Sequence, residues 1–379
     1  MTGKEKIKAA FEKDGTPEFP VVICYEGIFI RDHWSELTSH PWYTVYLPDI
    51  NKQADCYTEI ISKIDQDWFV VYPFYSRQER KTIKVEIHEN EILMTDAFRN
   101  TKRIRKPSVA GWSVSGQLQS VRVSKIPETI TELEKLLPEQ ASEFDRKSFL
   151  SQGRHELAQS LINRFPDKIP ICHVASPLWR LYGTVGFEGM MTMMATEPDL
   201  VRYACNRFLD ISINLVQQEI SSGAEIIWIE ECLTDMISPA AFEKFNVPFM
   251  KKLVQTIRDL GAKCVYYYCG NPWDRLERIF DIGADALSFE ESKKNFEIDI
   301  EKIVEAVDGR FVVLGNLDAI NILPHADIEK LTTEIKRQLD AGKKNKRRFI
   351  MSLGSPVTPE TDLNRLHTYL EISRKAGGA

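Results

Sequence analysis

The strongest constraint on this chain is a regular alternation that begins near residue 169. Short apolar runs lie at 169–174, 225–229, 264–268, 286–289, 311–314 and 349–353. Helical segments fill the gaps, near 197–221, 239–260, 273–282, 297–307, 326–341 and 359–375. Continuous apolar runs of this length read as strands buried on both faces, the mark of a parallel sheet covered by helices. Two earlier runs, 20–25 and 68–72, bring the strand count to eight. Eight strand–helix units in 379 residues predict an α/β fold of the TIM (β/α)8 barrel type. A doubly wound open sheet is the competing arrangement. It would normally carry a Gly-rich phosphate turn after an early strand, and none is present.

The first third is less regular. A helix over about 3–13 stops before Gly15 and Pro17, and helices are expected around 31–39 and 50–64. Residues 84–87 and 91–95 flank the turn His88-Glu89-Asn90, which predicts a β-hairpin. The stretch 74–128 thus reads as an antiparallel β-hairpin insertion after the second strand, and 142–164 returns to helix. No solenoid period is found, and residues 1–379 are expected to form a single barrel domain.

Composition excludes some partners. The net charge is -6, with 49 basic and 55 acidic residues interspersed, so no nucleic-acid surface is expected. The one basic cluster, Lys343-Lys344-Asn345-Lys346-Arg347-Arg348, falls between a helix and a strand and reads as a solvated loop. No apolar run approaches a membrane span, and Met1 to Lys6 lead into an amphipathic helix with no signal segment. Seven scattered cysteines fit a reducing, cytoplasmic location.

In a barrel, chemistry sits at the carboxyl ends of the strands. Those ends carry Tyr25-Glu26, Tyr72, His173, Glu230-Glu231-Cys232 with Asp235, then Tyr267, Cys269 and Asn271, Glu290-Glu291, Asn316 with Asp318, and Ser352 with Ser355. Of Glu230 and Glu231 only one can face inward, because strand side chains alternate. Asn271 is expected to cap a helix whose first residue is Pro272. That would place the Cys269 thiol at a helix N-terminus, where the dipole favours thiolate. Asp318 reads equally well as the cap of a local turn. No C-x-x-C or H-E-x-x-H spacing occurs, so a metal would need Cys269 joined by carboxylates or His173 from other strands.

Three segments resemble the C-terminal half of the uroporphyrinogen decarboxylase superfamily: Tyr268-Cys269-Gly270-Asn271, Phe280-Asp281-Ile282-Gly283-Ala284-Asp285-Ala286 and Leu314-Gly315-Asn316-Leu317-Asp318. Ser176-Pro177-Leu178 with Gly183 is similar to that superfamily's Gly-x-Pro-Phe stretch, and residues 10–25 to its opening helix and first strand. The resemblance implies a TIM barrel. True decarboxylases of this superfamily carry an arginine pair after the first strand to hold substrate carboxylates. Here the stretch is Tyr25-Glu26-Gly27-Ile28-Phe29-Ile30-Arg31. The resemblance therefore favours the other branch, the corrinoid-dependent methyltransferases. Its thiol-methylating members hold zinc with a His-x-Cys pair on the fifth strand and a later cysteine. Cys269 matches the first cysteine, but Tyr267 stands for the histidine and Ser355 for the second cysteine.

The resemblance thus implies an O-demethylase-type methyltransferase, which would move methyl from an aryl methyl ether or similar small donor to the cobalt of a corrinoid on a partner protein. Zinc is carried as an optional cofactor and a homodimer as an assembly to test. Decarboxylation of uroporphyrinogen or a related acid, methylcobalamin-to-thiol transfer, and non-catalytic corrinoid binding are the alternatives. Glu231, Tyr267, Glu290 and Asn316 are the expected catalytic residues. Tyr25, Glu26, His173, Tyr268, Asn271, Asp318 and Ser355 are the expected substrate-binding residues. Cys269 and Glu231 are the expected metal ligands.

Overall fold

The computed structural model describes residues 1–109, 123, 125–232, 234–293 and 296–378. Among them the chain forms ten strands: β1 (Trp68–Val70), β2 (Lys84–Ile87), β3 (Glu91–Thr95), β4 (Thr101–Arg105), β5 (Ile169–Ala175), β6 (Ile226–Glu231), β7 (Lys263–Tyr268), β8 (Ala286–Phe289), β9 (Val312–Leu314) and β10 (Phe349–Ile350). Seven of them form one parallel sheet in the order β1-β5-β6-β7-β8-β9-β10. Helices connect successive strands, giving the TIM-like α/β architecture expected from the alternation.

The eighth position is filled differently from a regular strand. The run at 20–25 contributes a single parallel bridge, Val21 to Met351. On one side Met351 N donates to Pro20 O and Val22 N to Met351 O, both at 2.9 Å. On the other side Val21 N donates to Asp67 Oδ2 (2.7 Å) and Ile23 N to Gln66 Oε1 (2.8 Å). Pro20 has no N–H to give, and side-chain acceptors replace the missing ladder carbonyls. The segment joins the two edges of the sheet and closes the ring.

The insertion after β1 has three antiparallel strands, not two. β3 pairs with β2 on one edge and β4 on the other. In β4, Ile104 is the sole apolar residue and the strand is largely exposed, so it lacks the alternation that marks a half-buried strand. The remainder of the expected 74–128 insertion at 110–122 and 124 lies outside the described residues. Between β5 and β6 the chain forms two helices, Pro177–Thr196 and Pro198–Ser222. The first was not expected. It is rich in glycine and methionine and apolar on most sides, with Gly186 leaving helical geometry at φ 74°, so it has no clear 3.6-residue stripe.

Where stripes are clean the helices follow them. Helix Val247–Asp259 buries Val247, Met250, Val254 and Ile257, spaced three or four apart against the sheet. The turns from strand to helix are set by caps: Ser176 Oγ accepts from Trp179 N with Pro177 at the first helical position, and Ser238 with Pro239 repeats the device. After β7 the expected cap fails. The helix there is Leu276–Asp281, and Asn271 Oδ1 instead accepts from Trp273 N in a local turn. Cys269 therefore does not sit at a helix N-terminus. Among the described residues no helix is long and apolar enough to cross a membrane.

Candidate active site

Register decides which strand-end residues share the barrel interior. Residues paired across parallel strands lie on the same face, and neighbours along a strand on opposite faces. His173 pairs with Trp228, and Glu230 with Tyr267. These four face inward. The Trp228 ring contacts Trp68 (5.7 Å between centroids), His173 (5.8 Å), Tyr25 (5.8 Å) and Tyr267 (5.4 Å, stacked). Aromatic rings thus floor the mouth.

Tyr25 is the least ordinary member. It ends the first barrel segment in the left-handed region, at φ 51°, where a side chain is disfavoured. That backbone turns its ring against His173 (5.6 Å) and Tyr267 (5.2 Å). Its buried hydroxyl makes no hydrogen bond of ordinary geometry among the described residues, and the nearby Trp228 indole N–H, which can only donate, leaves the phenolic proton without an acceptor. Burial, followed by the nearby Glu230 carboxylate, pushes the phenol well above its usual range, so Tyr25 keeps its proton.

Glu230 Oε1 lies 3.2 Å from His173 Nδ1, and this pair faces the same space. Glu231 is on the opposite face and fully buried. Ser176 Oγ donates to its Oε1 (2.8 Å), and Asn246 Nδ2 and Tyr266 Oη donate to its Oε2. Burial pushes Glu231 up to about 8 against these bonds. The carboxylate of this strand end that faces the cavity is Glu230, and Glu231 braces the sheet against the helix Val247–Asp259, which follows Asn246.

Past β7, Cys269 N donates to Glu231 O at 3.0 Å, which sets Cys269 beside Cys232, the residue after β6. Gly270 follows at φ 112°, and a Cβ there would lie 2.2 Å from Asp235 Cγ, so only glycine fits. Tyr267 Oη donates to Gly354 O (3.0 Å). Lys293 Nζ is ion-paired with Glu290 and lies 3.7 Å from Glu291 Oε1, and it donates to Ser355 Oγ at 2.7 Å. Burial opposes the Lys293 charge, but Glu291 and Glu290 together hold its pKa above the ordinary lysine range. Burial likewise raises Glu291.

The expected site residues therefore divide. Tyr25, His173, Tyr267, Cys269, Glu290 and Ser355 come to the mouth. Glu26 lies beside it, buried, accepting from Gln66 Nε2 and Val70 N; burial pushes it up to about 7, with His173 opposing. The others are placed elsewhere. Tyr268 points outward to Phe242, its hydroxyl on Asn271 O. Asn316 Nδ2 donates to Glu290 O and Ile298 O, tying loops together. Asp318 caps its own turn through Ile320 N and Asn321 N. Trp228 and Lys293 were not singled out from the sequence, although Trp228 shares the parity of Glu230 and Lys293 follows an acidic pair by two residues.

The zinc pair Cys269 and Glu231 does not fit, because the two side chains leave the sheet on opposite faces. Tyr267 and Ser355, in the places of the missing family ligands, are engaged by Gly354 and Lys293. Among the described residues no three His, Cys, Asp or Glu side chains assemble into a metal-binding group. Beside the mouth, a cavity of about 820 Å³ opens at the ends of the first two barrel segments, lined by Glu26, Trp34, Trp42, Tyr46, Tyr57 and Tyr72 among others.

Comparison with known proteins agrees with this geometry. The family model described as uroporphyrinogen decarboxylase (URO-D) matches residues 121–376. The uroporphyrinogen decarboxylase of Dechloromonas aromatica is 28% identical over 205 residues, covering 51% of this chain and 55% of that protein. The methylcobamide:CoM methyltransferase MtbA of Methanosarcina mazei is 26% identical over 216 residues, covering 56% of this chain and 60% of its own. The chain spans about half the length of the curated relatives it matches. A solved methyltransferase from Methanosarcina mazei shares the fold over 99% of both chains, with a TM-score of 0.64 at 17% identity. A parallel barrel with its polar strand ends gathered at one mouth, and a family match over two-thirds of its length, make this chain a member of the uroporphyrinogen decarboxylase (URO-D) family.

Proposed function

We propose that the protein is a methyltransferase that takes a methyl group from an aryl methyl ether and delivers it to the cobalt of a corrinoid held by a separate protein. The observation that carries this reading is the Tyr25 hydroxyl: buried, protonated, its proton without an acceptor among the described residues, and set in an aromatic chamber by a strained backbone. An ether oxygen losing its methyl group develops negative charge. A donor fixed in advance toward that oxygen stabilises the charge as it forms. The aromatic cavity suits the aryl ring, and Glu26 and Gly27, which line it, directly follow Tyr25.

Within this reading Tyr25 Oη donates to the leaving oxygen. Glu230 orients His173 through Nδ1 so that the imidazole can restore the proton. Tyr267 and Trp228 exclude water beneath the reacting atoms. The corrinoid, when its carrier docks, supplies the metal nucleophile that accepts the methyl group.

Charge argues against decarboxylation of a porphyrinogen. Glu230, Glu290 and Glu291 ring the mouth, and Arg31, the one arginine after the first barrel segment, lines the neighbouring cavity with its charge already paired to Asp32. A substrate bearing several carboxylates would meet like charge without an arginine clamp. Incubation with reduced cobalamin and a panel of aryl methyl ethers tests the proposal. It predicts the absorption spectrum of the methylated corrinoid together with one equivalent of the free phenol. Absence of both across the panel, with turnover of uroporphyrinogen instead, would overturn it.

A further inference from the structure

Five of the seven cysteines, Cys24, Cys56, Cys172, Cys205 and Cys264, are buried; Cys232 and Cys269 are the two with partial exposure, and all seven are free thiols. Those two also stand side by side on neighbouring strand ends. The last ladder pair between β6 and β7 is Glu231 with Tyr268. One step further along each chain are Cys232 and Cys269, and the register is still held there by the bond from Cys269 N to Glu231 O. Residues in register on neighbouring parallel strands have backbones about 4.8 Å apart. A disulfide needs Cα atoms about 4.4–6.8 Å apart. Both residues lie just past the regular ladder, Cys232 directly after β6 and Cys269 directly before Gly270.

We propose that Cys232 and Cys269 form a redox-active dithiol at the barrel mouth that takes small disulfides as its oxidant and closes to an intramolecular disulfide. Cys269 follows Tyr267 by two residues on the strand end that opens into the mouth, and it is the attacking sulfur; Cys232, beside it on the neighbouring strand end, is the resolving thiol. Cys269 sulfur attacks one sulfur of the small disulfide, whose S–S bond breaks, and the first small thiolate leaves and takes a proton. Cys232 then loses its proton and attacks Cys269 sulfur, expelling the second small thiolate. The protein loses two hydrogens and two electrons; the small disulfide gains both and becomes two thiols.

This chemistry does not depend on the methyl-transfer reading. Closure would, however, remove the Cys269 thiol from the mouth and pull β6 and β7 together beside Glu230.

The test uses the full chain incubated with hydroxyethyl disulfide, alkylated, digested and sequenced by mass spectrometry, with fragmentation separating Cys269 from the neighbouring Cys264. The expected product is a peptide pair linked through Cys232 and Cys269, lighter by two hydrogens and released by a reductant. The Cys232→Ser variant should instead stop at a mixed disulfide on Cys269 that persists. Should that variant fail to fold, Cys269→Ser serves: Cys232 alone should acquire adduct at least tenfold more slowly than the wild-type pair reacts. A stable mixed disulfide in the wild type, a link between other cysteines, or no reaction at either position would overturn the proposal.

Discussion

Replacing Tyr25 with phenylalanine should move stability and activity in opposite directions. The phenylalanine ring keeps the contacts with His173, Trp228 and Tyr267 and tolerates the same left-handed backbone as tyrosine does. What disappears is one buried hydroxyl whose proton has no acceptor among the described residues, with only the Trp228 indole N–H near its oxygen. An unsatisfied buried polar group costs about 1–3 kcal/mol. Its removal should therefore stabilise the fold by about 1 kcal/mol, or roughly 2 °C in Tm for a chain of this size. If the hydroxyl donates to the leaving oxygen, its loss should cost about 100-fold to 1,000-fold in kcat, as for one oxyanion donor. KM for the aryl ether should change little, because the donor acts on charge absent from the ground state. Thermal melts and single-turnover demethylation on the same preparation give both numbers. A variant that melts lower than wild type, or one that demethylates at the wild-type rate, would refute the reasoning.

Glu231 is raised to about 8, so its folded pKa lies above its unfolded value near 4.5. Its contribution to stability is complete below the unfolded pKa and declines as pH rises through about 8. Glu231→Gln should flatten the fall in Tm between pH 5 and pH 9 while leaving demethylation chemistry at pH 7 within about twofold. Gly270→Ala should destabilise by about 1–3 kcal/mol, measured by urea unfolding, from positive φ and the overlap with Asp235. Lys293→Met should cost about 3 kcal/mol or more, because the buried Glu290 and Glu291 lose their ammonium; a melt at pH 5, where Glu291, raised by burial, protonates more readily, should recover part of that loss.

The barrel was legible because its strands are buried on both faces and read as continuous apolar runs such as Ile226–Ile229 and Val312–Leu314. What escaped had other physics behind it. The run at 20–25 is apolar enough to be read as a strand, yet Pro20 and the side chains of Asp67 and Gln66 reduce it to a single bridge. Helix Pro177–Thr196 is nearly uniform in hydropathy, so no stripe announces it. At the site, the sequence locates the polar strand ends but leaves open by which face some of their side chains leave the sheet. The choice between Glu230 and Glu231 depends on register with Tyr267, a relation across strands that one chain segment does not encode. Likewise Asn316 and Asp318 stand at a strand end, but their amide and carboxylate are spent on loop carbonyls and a turn. Lys293 reaches the mouth only through the fold of the loop after β8.

Methyl transfer from an aromatic ether at this mouth is tested most directly by a single turnover with a donor carrying a carbon-13 methoxy label, reduced corrinoid protein and this chain, read by NMR. The label should leave the ether and appear on cobalt, with a matching amount of unlabelled phenol, and the Tyr25→Phe variant should slow this by about 100-fold or more. Label retained on the ether at every corrinoid concentration, or transfer that proceeds equally well in the Tyr25→Phe variant, would contradict it.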